Sequence, residues 1–194
     1  MPRRYVLALA VIAVLFFLGI WLLISLITGG DSVETTQESG ETIESAKELT
    51  SDTNSVSYTV YGPVVGEEQR RAIRIVVTAN ERRAEVLRGY YETVIKDEVI
   101  PNNPAAFDAL VIALDGVGFD EFNKNNKTDE FSVCTTGQRV VYETKFDNDE
   151  TIRSWSTSCG SRQGSFLGDS YLVQTLMQKQ IPNYLDFASG VQIY

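Results

Sequence analysis

Ala72–Thr78 (AIRIVVT), Asn80-Glu81 and Arg82–Arg88 (RRAEVLR) make up the stretch whose reading decides the fold. Both arms are rich in β-branched or alternating residues, and the short polar step between them carries turn chemistry. A hairpin turning at Asn80-Glu81 puts Ile73, Ile75 and Val77 on the same face as Ala84 and Val86. That face reads as core, and Arg74, Arg83 and Glu85 point to the other side.

Outward from the hairpin, Val56–Tyr61 (VSYTVY) alternates and reads as a strand, broken by Gly62-Pro63. Tyr90–Ile100 is compatible with strand or loop. Asn103 caps a helix that Pro104 opens, and Phe107, Leu110, Val111 and Leu114 form one apolar stripe ended by Gly116 and Gly118. Three further strands are expected at Phe131–Thr135, Arg139–Phe146 and Thr151–Ser158, with Val140, Tyr142, Thr144 and Phe146 on one face. The register leaves open whether Ile152 or Trp155 faces inward. Asp169 caps a second helix from Ser170 to about Gln180, with Leu172, Val173, Leu176 and Met177 as its buried stripe. Pro182 stops it, Asn183–Ser189 adds a turn, and Val191–Tyr194 reads as a short last strand. The expected class is α+β: an N-terminal transmembrane helix, then an antiparallel β-sheet with two helices packed on one face.

The transmembrane helix is read from Tyr5–Thr28 (YVLALAVIAVLFFLGIWLLISLIT), which holds no charge. As a helix it is roughly 36 Å long, enough to cross a ~30 Å hydrocarbon layer with tilt. Arg3 and Arg4 precede it, so the N-terminus is expected in the cytoplasm and the rest outside. The organisation is a cytoplasmic tip at 1–4, an anchor at 5–28, an acidic tether at 29–55 and an extracytoplasmic domain at 56–194. The tether is Ser, Thr and Glu-rich and is expected to be disordered, giving clearance from the membrane. A cleaved signal peptide would have a shorter apolar run, although Thr28 and Gly30 are small enough for cleavage. A type IV pilin would carry a Gly before the mature start and a Glu five residues into the helix, and this stretch has neither.

Net charge over the 194 residues is −9. An acidic chain is repelled by phosphate backbones, so nucleic acid is excluded as a partner. Histidine is absent, which removes Ser-His-Asp and Cys-His catalysis and His-ligated zinc. Ser161 lies in Gly160-Ser161-Arg162-Gln163-Gly164, which is not the G-x-S-x-G elbow. Cys159 with Arg162 resembles the Cys and Arg of sortases and L,D-transpeptidases, but both families use a His to form the thiolate. Asp120–Glu130 lacks the EF-hand spacing and reads as a solvated polar loop. Within it, Asn126-Lys127-Thr128 fits the short N-glycosylation pattern. Glu67-Glu68 and Arg70-Arg71 read as a solvated connection. Tyr61, Tyr90, Tyr91 and Trp155 read as sheet residues that become interface candidates if clustered and exposed. No catalytic residue, metal ligand or cofactor is expected.

Cys134 and Cys159 are the only cysteines, and on the outer side of an anchor they read as a disulfide. In a plain meander their strands would be about 10 Å apart, beyond the ~7 Å that a disulfide spans. Either the chain near Cys159-Gly160 folds back over the sheet end, or Cys134 sits outside regular pairing.

Ser57–Gly62, Arg88-Gly89-Tyr90, Cys134-Thr135-Thr136-Gly137 and Trp155–Cys159 carry a resemblance to uncharacterised single-pass membrane-anchored extracytoplasmic proteins of reduced-genome bacteria. The resemblance spans Ser57 to Pro182 and implies location without activity. The order of hairpin, helix, antiparallel strands and C-terminal helix is also similar to the emfourin inhibitors of metalloproteases, which implies an inhibitor of extracellular proteases as the alternative function. The leading expectation is a non-enzymatic module, anchored in the lipid bilayer through residues 5–28, that binds an extracytoplasmic protein or envelope component.

Overall fold

The computed structural model describes residues 54–126, 130–147, 150–160 and 164–193. The anchor expected at Tyr5–Thr28 and the tether through Thr53 lie outside the described residues, as do Lys127, Thr128, Ser161 and Arg162. Among the described residues no helix is long and apolar enough to cross a membrane.

The fold is α+β. Strands β1 (Ser55–Tyr61), β2 (Arg71–Thr78), β3 (Glu81–Arg88) and β4 (Thr93–Pro101) form a meander, followed by helix α1 (Pro104–Asp115). Strands β5 (Arg139–Lys145) and β6 (Thr151–Thr157) and helices α2 (Ser170–Gln178) and α3 (Tyr184–Ala188) complete it. The six strands pair antiparallel in the order β4-β3-β2-β1-β5-β6. After β4 the chain must return past four interstrand spacings, roughly 19 Å, to lay β5 beside β1. Helix α1, about 18 Å long, can cover most of that distance.

Alternation sorts the strands into two faces. Val56, Tyr58, Ile73, Ile75, Val77, Ala84, Val86 and Tyr142 share a core with Phe107, Leu110, Val111 and Leu114 of α1 and Val173 and Met177 of α2. The hairpin forms with Ile73, Ile75, Ala84 and Val86 on the expected core face, but its register is shifted by two residues, with Ile73 opposite Val86 and Ile75 opposite Ala84, and a two-residue shift keeps every side chain on its face. Its turn is Ala79-Asn80, and Glu81 already opens β3. Asn103 Oδ1 accepts from Ala106 N and Asp169 Oδ1 from Leu172 N, so both expected helix caps form. Tyr90–Glu92 is a turn, and the strand begins only at Thr93.

Four expectations are corrected. Phe131–Thr135 is not a strand, because both edges of β5 are taken by β1 and β6 and no place beside it is free. Cys134 there has left-handed backbone (φ 56°) and stands outside regular pairing, which resolves the geometry of the cysteine pair. Val191–Ile193 forms no strand, and Ile193 O accepts instead from the Gln138 side chain (2.9 Å). Leu172 is exposed, since α2 centres its buried stripe on Val173 and Met177 and one residue turns the helix by about 100°. Asn54 and Ser55 belong to the domain: Ser55 opens β1, and Asn54 is buried with its Oδ1 accepting from Asp147 N (3.0 Å).

Trp155 pairs with Val141 and Ile152 with Thr144, so the two lie on opposite faces. Trp155 is buried on the side away from the helices, in a second small core with Tyr61, Ala72, Leu87 and Val141.

Candidate functional site

The helix-free face is read directly from the register. One row across it runs Val94, Leu87, Ala72, Tyr61, Arg139, Thr157, and the next runs Asp97, Glu85, Arg74, Thr59, Val141, Trp155. Val133, from the segment before β5, packs against the small core on this face.

Tyr61 is the centre of the site. The Arg139 guanidinium lies 4.4 Å from its ring centroid and 4.4 Å from that of Phe131. The Arg70 guanidinium lies 5.1 Å from the Tyr61 ring and 4.3 Å from the Tyr90 ring. Phe131, Arg139, Tyr61, Arg70 and Tyr90 therefore form a continuous ladder of three rings and two cations. The buried rung is Tyr61, and the ends are open, with Phe131 60% and Tyr90 46% exposed.

Hydrogen bonds hold Tyr61, Arg70 and Tyr90 in place. Tyr61 Oη donates to Glu92 Oε1 (2.7 Å), and Arg74 bridges Glu92 (3.2 Å) and Glu85 (2.7 Å). Arg70 Nη1 donates to Gly89 O (2.8 Å), and Tyr90 Oη donates to Val65 O (2.9 Å). Gly89 has φ +75°, and a Cβ there would overlap the Glu67 carboxylate, which accepts from Tyr90 N. Only glycine meets both demands.

The Phe131 end is fixed by two clamps. Glu130 takes a bidentate pair from Arg153 (2.6 and 2.8 Å), and Arg153 Nε also donates to Glu143 (3.1 Å). Cys134 and Cys159 are disulfide-bonded, with Cα atoms 5.4 Å apart, as read from the sequence. Gly137 passes so close that a Cβ would lie 2.6 Å from Cys134 Sγ and 2.7 Å from Cys159 Sγ. Val64 N donates to Thr135 O (2.8 Å), tying the two covering segments together.

Electrostatics follow from burial. Desolvation first, then the hydrogen bond to Glu92, push the Tyr61 phenol above its ordinary value, so the hydroxyl stays a donor. Burial lowers the Arg139 pKa, opposed by the nearby Glu130. The guanidinium remains charged at neutral pH. Arg153 is shifted the other way, chiefly by its bond to Glu130. Among the described residues Arg139 Nε is buried without a hydrogen-bond partner, a costly arrangement for a donor.

Of the residues singled out from sequence, Tyr61 and Tyr90 join the ladder, Trp155 lies in the small core, and Tyr91 is 90% exposed beyond Tyr90. The connection containing Glu67 and Arg70 is not simply solvated: Arg70 is only 6% exposed. Arg139 and Phe131 were not legible, because their place depends on β5 pairing with β1. Among the described residues no group of three or more acidic or cysteine side chains could hold a metal ion. A cavity of about 310 Å³ between Gly62, Pro63, Gln69, Arg71 and Gln192 is lined by no carboxylate among the described residues. What this face can offer is stacking, cation–π contact and directed guanidinium donors. No family model matches the chain, and no curated protein matches it.

Proposed function

We propose that this chain is a membrane-anchored extracytoplasmic binding module, not an enzyme, that holds a protein or envelope component against the arginine–aromatic ladder. The observation that carries the reading is the ladder itself: Tyr and Arg, the residue types that dominate binding hot spots, are stacked, hydrogen-bonded and open at both ends. The Cys134–Cys159 bond supports an oxidising compartment, where such bonds persist. The uncharged run Tyr5–Thr28 after Arg3-Arg4 supports a single-pass anchor with the N-terminus cytoplasmic. The resemblance to anchored proteins of reduced-genome bacteria belongs to the same proposal. The alternative, inhibition of extracellular proteases, rests on element order alone, and unslowed cleavage by a metalloprotease panel would end it.

The test uses the full chain on intact cells. A photo-crosslinking residue placed at Phe131 or Tyr90 should capture one defined partner, and the same residue at exposed Leu185 should not. Arg139→Met with Arg70→Met should abolish the adduct. Identical capture from Leu185, or capture that survives both substitutions, overturns the reading. Protease shaving of whole cells that leaves the domain intact removes the location.

A further inference from the structure

The two edges of the sheet are treated differently. At the β6 edge, Trp155 N donates to Ser165 Oγ (3.1 Å), and Trp155 O accepts from Phe166 N (3.0 Å). Phe166 is in turn stacked 3.9 Å from the Tyr142 ring, so this edge is covered. At the β4 edge nothing comparable occurs among the described residues: β4 pairs with β3 alone. It is a nine-residue strand, about 30 Å long, with Val94, Ile95 and Val99 exposed.

An open edge is ordinarily a hazard, and β4 carries two restraints on it. The pairing shifts between Val86 and Leu87, leaving Ile95 as an extra residue, so the regular run begins at Lys96. The centre of that run is charged. Lys96 is committed: its Nζ donates to Phe187 O (2.8 Å) and sits 4.7 Å from the Phe187 ring. Asp97 and Glu98 have no ion pair or hydrogen bond from their side chains among the described residues. They project to opposite faces, Asp97 beside Glu85 and Glu98 beside Ala84. Among the described residues, the edge therefore presents an unpaired backbone ladder with uncompensated negative charge on both faces.

We propose that β4 is a strand-addition site for an extended cationic peptide segment of a partner, with two adjacent basic residues opposite Asp97 and Glu98 and an apolar residue opposite Val99. Main-chain hydrogen bonds would supply the affinity and the side chains the selection. The carboxylates that stop neutral strands from adding also choose which strand can, because like charges directly opposite are unfavourable and opposite charges favourable. A second copy fits less well. The antiparallel two-fold register that brings Lys96 opposite Glu98 sets Asp97 against its own copy and takes Lys96 from Phe187. The proposal rests on the reading of the chain as a binding module but not on the ladder.

The test uses the full-length chain in detergent micelles and a labelled ten-residue peptide, two adjacent lysines flanked by alternating valine and threonine. It should bind by fluorescence polarisation and slow amide exchange over Lys96–Ile100. A glutamate counterpart should bind about tenfold more weakly. Asp97→Lys with Glu98→Lys should invert that ranking, and the near-isosteric Asp97→Asn with Glu98→Gln should abolish it. Arg139→Met should leave peptide binding unchanged, which separates this site from the ladder. Equal binding of a lysine peptide whose valines are replaced by proline would overturn the proposal, because charge alone would then suffice. Absence of binding would do the same, as would concentration-dependent β4 protection without peptide, the mark of a second copy.

Discussion

The two faces of the sheet are made from the same strands, yet they are held by different forces. On the helix-covered face, Ile75, Val77, Phe107 and Val173 meet in a fully buried apolar layer. On the other, five arginines (Arg70, Arg74, Arg83, Arg139 and Arg153) are set among carboxylates and rings over a core of five buried residues. The first arrangement is strong and indifferent to ligands. The second is weak per contact, directional, and leaves donors and ring faces available. Stability is expected to reside in the first face and recognition in the second.

Truncating the apolar layer should have the largest effect. Phe107 is fully buried between α1 and the sheet, so Phe107→Ala should destabilise the domain by about 4 kcal/mol. Urea unfolding of the full chain in micelles measures this. A loss under about 1 kcal/mol would mean that the helix-covered face is not the main source of stability.

The disulfide comes next, and it acts on the other face. Cys134 and Cys159 are 25 residues apart, and replacing both by Ser should cost about 3.5 kcal/mol on the chain-entropy account. The more telling readout is local. Val133 should lift from the small core, so Trp155 emission should shift to the red in a Trp21→Phe background. Lost stability with unchanged emission would show that Glu130 and Arg153 alone keep the covering segment in place.

These two cases mark what was legible. The helix-covered face follows from periodicity within single elements: Phe107, Leu110, Val111 and Leu114 recur at helical spacing, and Ile73 and Val86 are matched by a short turn. The helix-free face depends on β1 pairing with β5, which brings Tyr61 to Arg139 across a long stretch of chain. No local pattern encodes that choice, and Phe131–Thr135, with equally good alternation, competed for the same assignment. Register converts a list of arginines into a ladder, so Arg74 and Glu85 could be placed by the hairpin while Arg139 could not.

Alkaline pH separates the faces more finely. Burial, the leading cause, raises the phenols of Tyr58, Tyr142 and Tyr184 on the helix side and of Tyr61 on the other. For each, the unfolded chain loses its proton near pH ~10 while the folded protein keeps it, so stability is level below that value and falls as pH rises through it. Tyr61→Phe should remove its share of this slope, as Tyr58→Phe should remove its own. If Tyr61→Phe leaves the slope untouched, the Tyr61 hydroxyl is in contact with water and the ladder is looser than its geometry.

The smallest expected change in stability is the one that bears most on function. Arg139→Met gives up two cation–π contacts, each worth about 0.5–1 kcal/mol. It also removes a buried Nε that lacks a partner among the described residues, an arrangement that costs about 1–3 kcal/mol, while a methionine side chain can still lie on Tyr61. The opposing terms leave a net change near zero, and a slight gain is within their range. A residue selected for the fold would not sit at such a balance, since an apolar side chain serves the fold equally well. A thermal midpoint within a few degrees of the parent, together with lost partner capture, therefore assigns Arg139 to recognition. A large drop in midpoint would instead make the ladder a structural device.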